Sequence, residues 1–302
     1  MSQARRYALV LVAAVLLVGC IPRPPTSGRD TIVFSSARTG SLEIWSVRSD
    51  GSNATQLTDN SVPDLAPQLS LDGKRIVFAR EVAPETRRVW VMNADGSDQH
   101  EVLAPSISDG SSEPGIITRD REPSWSPDGH WIAFNREGVA TQTGILTMKA
   151  DGTSPRVAFP FEQPELFAGT AWSPRGTEIA FSVDYDCCLE HIDAVRANGS
   201  GSRHVTAPLD PQDISTFEKN PVWSPDGTRI AFNGSRGTEE TTGVWVVNAD
   251  GTNPVQLTQH GDGAEEGVGW WLPRENRIVF RSAGTLWTMK PDGTDQVDLG
   301  IG

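Results

Sequence analysis

The chain has 302 residues, a formal net charge of −13, 37% hydrophobic residues and ten Trp, a content that excludes wholesale disorder. An acidic balance without a basic face excludes a nucleic-acid binder. The 29 Gly and 21 Pro favour short strands joined by turns over long helices, and three Cys are too few and too oddly placed for a zinc framework.

The first element in chain order is an address. Arg5 and Arg6 precede an apolar run over 7–18, and Leu17-Val18-Gly19-Cys20 closes it. The run is shorter than the roughly 20 residues a membrane span needs, so it reads as a secretory signal peptide. Its ending resembles a bacterial lipobox. That resemblance implies cleavage before Cys20 and a diacylglyceryl thioether on its sulfur, leaving the mature part at −15 because two Arg and no acid are removed. Two or three acyl chains anchor stably where one does not. Residues 1–19 are thus expected to be the signal peptide and 20–30 the lipidated Cys with a Pro-rich tether. The domain is expected over 31–302.

From Thr31 onward one phrase recurs. Its best copy is Trp223-Ser224-Pro225-Asp226-Gly227, Ile230-Ala231-Phe232, Val244-Trp245-Val246-Val247-Asn248-Ala249-Asp250-Gly251-Thr252 and Gln256-Leu257-Thr258. The second glycine of the phrase returns at Gly51, Gly96, Gly152, Gly199, Gly251 and Gly293, and the aromatic of Ile/Val-x-Phe at Phe34, Phe78, Phe134, Phe181, Phe232 and Phe280. The segments are β-branched and aromatic and only a few residues long, which is strand composition. Asp-Gly supplies the positive φ of a tight turn, and Pro sits at a turn corner. Each repeat therefore reads as four antiparallel strands. Strand A ends at Trp, B holds Phe, C holds Val-Trp-Val and D holds Gln-Leu-Thr. Four-stranded units of this period predict an all-β fold, a six-bladed β-propeller of four-stranded antiparallel blades. The first repeat has no clear A strand, giving 23 strands rather than 24. Either the tether near Arg29 or the tail 297–301 is expected to complete it.

The phrase resembles the TolB-type β-propeller repeat, over essentially the whole region from residue 31. The resemblance implies the propeller fold, which hosts many functions. The pattern departs from TolB itself in that only about ten tether residues stand where TolB carries an N-terminal α/β domain.

Strand alternation sorts the loops onto two faces. The A–B and C–D turns are short and uniform, and Asp50, Asp95, Asp151, Asp250 and Asp292 are expected to cap their own turns rather than bind Ca²⁺. The B–C and D–A loops share the other face and vary in length, the longest being 104–121, 207–219, 159–169 and 259–267. Variable loops on a rigid scaffold are where binding resides. Candidate ligand-binding residues there are Asp120, Glu122, Arg136, Asp184, His191, Glu218, Lys219, Arg236, His260 and Glu265. Of the five His, only His191 and His260 are placed to reach this face, and no metal or other cofactor is expected. No Ser/His/Asp spacing or Gly-x-Ser-x-Gly elbow assigns a nucleophile. Cys187 and Cys188 are adjacent in the B–C loop of the fourth repeat. They form a strained vicinal disulfide, stay reduced, or pair with another chain. The same repeat puts Asp193 where others have Trp45, Trp90 or Trp245.

These features predict a monomeric, extracytoplasmic binding or scaffold propeller, held to the bacterial cell membrane by lipid on Cys20. It would recognise a protein, a peptide or an envelope component on its loop-rich face. The alternative is a propeller hydrolase or lyase acting on envelope polysaccharide, with acids of that face as general acid and base.

Overall fold

The computed structural model describes residues 30–102, 119–137, 143–161, 169–184, 190–206, 217–235, 242–259 and 267–301, with only the backbone of Asp184. Among these residues are 23 strands and no helix. They form antiparallel meanders in chain order. The first repeat has three strands, Thr31–Ser36, Glu43–Arg48 and Thr55–Gln56, and each later repeat has four. The second and third meanders continue as one eight-stranded sheet through a single parallel bridge, Arg87 to Arg119. The A, B, C, D order expected from the repeats is seen in Phe217–Trp223, Arg229–Ser235, Gly243–Asn248 and Val255–Gln256.

The B strands explain the packing. Arg229–Ser235 is buried over five consecutive residues and Trp131–Glu137 over four. A strand buried on both faces needs a continuous apolar run rather than alternation, and Ile-Ala-Phe and Ile-Val-Phe supply it. Phe78, Phe134, Phe181 and Phe232 are fully buried. Each hydrophobic cluster straddles two successive repeats. Phe134 packs with Val77 and Val91 across repeats two and three, and Phe232 with Ala180 and Ile192 across four and five. The last cluster joins Ile32, Phe34 and Val47 of the first repeat to Leu272, Val279 and Leu286 of the last. Burial therefore runs cyclically, because no single meander hides both of its faces alone.

The Trp residues divide by strand. Trp125, Trp172 and Trp223 end their A strands, Trp271 stands one residue before the end of its own, and all four are buried between repeats. Trp45, Trp90, Trp245 and Trp287 on the C strands are only half-buried. They lie opposite the core Phe of their own repeat, at centroid distances of 6.4 Å for Phe78–Trp90 and 6.5 Å for Phe232–Trp245. In the fourth repeat Asp193 takes that place, and Phe159 of the preceding repeat covers Phe181 instead, 5.0 Å away. Asp193 turns to His204 on the neighbouring strand, 2.8 Å from its Nδ1.

The tail does not complete the first repeat. Val297–Asp298 pairs with Thr285–Met289 of the last repeat, and the Leu286 N–H donates to the Ile301 carbonyl at 2.7 Å. The tail is thus the outer strand of its own meander.

Candidate functional site

The turns at one end behave as capped turns. The Ser97, Thr153, Thr252 and Thr294 hydroxyls donate to Asp95, Asp151, Asp250 and Asp292 at 2.6–2.7 Å. Those hydrogen bonds, with the backbone N–H groups of the same residues, hold the four carboxyls below the ordinary aspartate value. The Ser52 hydroxyl and N–H donate to Asp50 in the same geometry, at 2.6 and 3.0 Å. His130 sits at the end of an A–B turn, and His100 and His204 lie on D strands.

The opposite end carries the candidate residues. Asp120 is buried at the start of its A strand and takes a two-pronged hydrogen bond from Arg136 on the B strand, 2.7 Å from Nε and 2.8 Å from Nη2. Asp64 and Arg80 repeat that geometry one meander earlier, at 2.6 and 2.7 Å. Each guanidinium also covers its core ring, Arg136 at 5.2 Å from the Phe134 centroid and Arg80 at 5.2 Å from Phe78. Glu218 occupies the same register but faces Gly234 on its B strand, and accepts instead from the Thr206 hydroxyl of the preceding repeat. Thr206 in turn accepts the Ile192 N–H at 2.9 Å, so the Thr of the D strand ties its own sheet to the next. In the first repeat Thr58 likewise accepts from Ile44 and donates to buried Glu43.

A second grouping lies between repeats four and five. Lys219 Nζ is 3.0 Å from Glu190 and 4.0 Å from the Phe217 centroid. His191 adjoins Glu190 on the same strand, and both are buried. The backbone of Asp184 pairs with Glu190. The structure thus brings Asp184, His191, Glu218 and Lys219 to neighbouring strand ends, and adds Glu190. Arg236, His260, Glu265, Cys20, Cys187 and Cys188 lie outside the described residues, as do most of the long loops.

Glu122 differs from the paired acids. It sits at a bulge of its A strand with φ of 46°, followed by Pro123. Ala66 and Asn220 hold the same left-handed conformation before Pro67 and Pro221. Positive φ is uncommon for residues other than glycine, so these bulges are imposed by tertiary contacts. They touch from repeat to repeat. The Thr170 hydroxyl donates to the Glu122 carbonyl at 2.6 Å, and a Cβ on Gly169 would lie 2.8 Å from the Asn220 Cα. Burial pushes the Glu122 carboxyl up, and Arg121 and Arg87 only partly offset that. A raised carboxyl costs stability when ionised, so this contribution is recovered as pH falls from neutrality through its folded-state value toward the ordinary glutamate range, and is constant below that. Glu122→Gln is therefore expected to raise Tm at pH 7, with the difference from wild type vanishing near pH 4. Equal melting at pH 7 would refute the assignment.

Sequence reasoning missed Asp64 and Glu43, and put Arg80 and Glu190 on this end without choosing them as candidates. A signal for the first existed, since Asp64, Asp120 and Glu218 each stand fourteen residues ahead of the core Phe of their repeat. Among the described residues no group of three or more His, Cys, Asp or Glu could hold a metal ion. The described acids of this end are mostly committed to neighbouring strands, which makes it a rigid, mixed-charge platform.

No family model matches the chain. Over 174 residues, 56% of this chain, it is 30% identical to the Tol-Pal system protein TolB of Anaeromyxobacter dehalogenans, of which the match covers 35%. The chain spans about a third of the length of the curated relatives it matches. Among solved structures it resembles TolB from Acinetobacter baumannii, with a TM-score of 0.67 and 18% identity over 90% of this chain and 63% of that one. It also resembles an oligogalacturonate lyase in complex with manganese, with a TM-score of 0.59 and 11% identity over 88% and 73% of the two chains. Repeat sequence and fold together make this chain a TolB-like β-propeller protein.

Proposed function

We propose that the chain is an extracytoplasmic, membrane-anchored binding propeller with six blades, which engages a protein, peptide or envelope component through its loop-bearing end. The cyclic run of hydrophobic clusters, from the first repeat to the last and back, supports closure as six blades. The lipobox-like residues Leu17-Val18-Gly19-Cys20 support lipid anchoring, and the similarity to a Tol-Pal system protein supports an envelope setting. One observation carries the binding reading. The buried Asp–Arg and Thr–Glu ties clamp inner strands to their neighbours and present a stiff base under long, variable loops. The lyase among the fold neighbours supports an enzyme as second reading, with an envelope polysaccharide as substrate. Against it, Asp120, Asp64 and Glu190 of this end are engaged in ion pairs with Arg136, Arg80 and Lys219.

The test is capture from membranes with lipidated protein carrying a photo-crosslinker in loop 104–121, and a control crosslinker at Asp128 in a turn of the opposite end. The expected result is one partner captured from the loop position only and competed by excess unlabelled protein. Equal capture from both positions, or none, would reject the binding reading and direct a screen of envelope glycans.

A further inference from the structure

Among the described residues, the first repeat has no strand in the place where the later repeats carry strand A. Thr31–Ser36 is the edge strand of its sheet, on the side where every later repeat carries an A strand. A cavity of about 490 Å³ lies along that edge, between the first and last repeats, lined by Phe34, Ser35, Arg38, Trp270, Phe280 and Leu286 among others. The Ser35 hydroxyl is buried there without a hydrogen-bond partner. A buried, unsatisfied hydroxyl beside an open strand edge costs free energy, which an added strand would recover.

The start of the described chain points to what fills the gap. The Ser49 N–H donates to the Asp30 carbonyl at 2.9 Å. In the later repeats Ala94, Ala150, Ala197 and Ala249 make the same bond to Lys74, His130, Thr177 and Thr228, at 2.8–2.9 Å. Those acceptors are the last residues of the A–B turns, so Asp30 occupies the place where a chain has just come round from an A strand. Asp30 is held there. Its carboxylate accepts the N–H groups of Arg274 and Glu275 from the last repeat's turn, at 3.0 and 3.1 Å. In the second repeat, strand A and its turn take residues 64–74, and 20–30 is a segment of the same length.

We propose that residues 21–29 dock in this cavity as the missing inner strand of the first repeat, pairing with Thr31–Ser36. Pro67, Pro123 and Pro221 lie in A strands at the register of Arg23, and Pro24 and Pro25 match the paired Gln68 and Leu69, where a proline gives up its own N–H but still offers its carbonyl to the Thr31–Ser36 edge. Pro22 matches the register of Ala66, whose φ is 49°. A ring that holds φ near −65° cannot follow that bulge, so the segment runs past it straight. The direction of docking carries Cys20 to the loop-bearing end, which would turn that face toward the membrane once Cys20 is lipidated.

Amide hydrogen exchange of the intact chain at single-residue resolution tests this. Arg75 gives its N–H to Ser70 on the inner side, and Thr31 matches Arg75 in register, so the Val33 and Ser35 amides face the open edge by alternation. Docking is expected to slow their exchange roughly 100-fold or more relative to a variant with 21–29 replaced by a Gly-Ser segment of equal length. The Ile32 and Phe34 amides, which face the C strand, should match in both. Equal rates at Val33 and Ser35 would overturn the proposal. Fast rates in both would mean an open edge. Slow rates in both would mean another occupant, a second copy if protection rises with protein concentration and a bound partner if it does not. Should the variant loosen the whole sheet, trypsin on the wild type decides. Resistance of the Arg29–Asp30 bond until global unfolding supports docking, and cleavage at the rate of an exposed peptide overturns it.

Discussion

Arg136→Ala is expected to destabilise the domain by about 3–5 kcal/mol, because it strands a buried carboxylate. The Asp120 side chain is 3% exposed and Arg136 12%, and the guanidinium supplies two hydrogen bonds to it. Removing the cation leaves buried Asp120 desolvated with its charge uncompensated. Most of that cost belongs to the orphaned acid rather than to the lost attraction. The double variant Asp120→Asn/Arg136→Met is therefore expected to recover most of the loss. Urea unfolding of wild type, both single variants and the double variant measures the coupling. If the double variant is as unstable as Arg136→Ala, the loss comes from the packing of the guanidinium over Phe134 instead. An exposed pair gives the contrast, since Lys290→Ala opposite Asp295 should change stability by under about 1 kcal/mol.

Phe232→Ala is expected to cost about 3–5 kcal/mol through the cavity it leaves. The ring is fully buried and packs in one cluster with Trp223, Ile230 and Val247 of its own repeat and Ala171, Ala180 and Ile192 of the one before. Several of those neighbours are already small, so the site has little side-chain volume with which to collapse into the void. The urea midpoint should fall while the slope stays constant, the mark of a stability change without a change in the surface exposed on unfolding. Val255→Ala, on an exposed outer strand, is the control and should leave the midpoint within experimental scatter. A loss below about 1 kcal/mol for Phe232→Ala would mean that successive repeats do not share a packed seam.

Strand order was legible because each repeat states it locally. Ile-Ala-Phe can only satisfy its burial as a strand covered on both faces, and Asp-Gly supplies the turn that reverses it. The same locality made the capping role of Asp151 and Asp250 readable, since their partners stand two residues on. The candidate end was less legible. Asp120 and Arg136 were marked as binding candidates from their position near loops, yet their pairing is a register effect between strands A and B that no short motif announces. Glu190 does not stand out among the acids of this end in the sequence, because its partner, Lys219, belongs to the next repeat. The left-handed φ of Ala66, Glu122 and Asn220 was equally hidden, and for Glu122 and Asn220 it goes with contacts to Thr170 and Gly169 of a neighbouring repeat that no short motif announces.

The amino-acid sequence by itself determined the repeat, the four-strand order within it, the capped turns and the absence of an A-strand phrase in the first copy. All of these arise from interactions a few residues apart, so composition and spacing record them. Only the tertiary structure decided which acids are spoken for, that the tail belongs to the last repeat, and that a cavity follows the open edge of the first. Those outcomes depend on which residues meet when distant repeats close on one another, as Asp30 meets Glu275, and a linear repeat carries no record of that meeting.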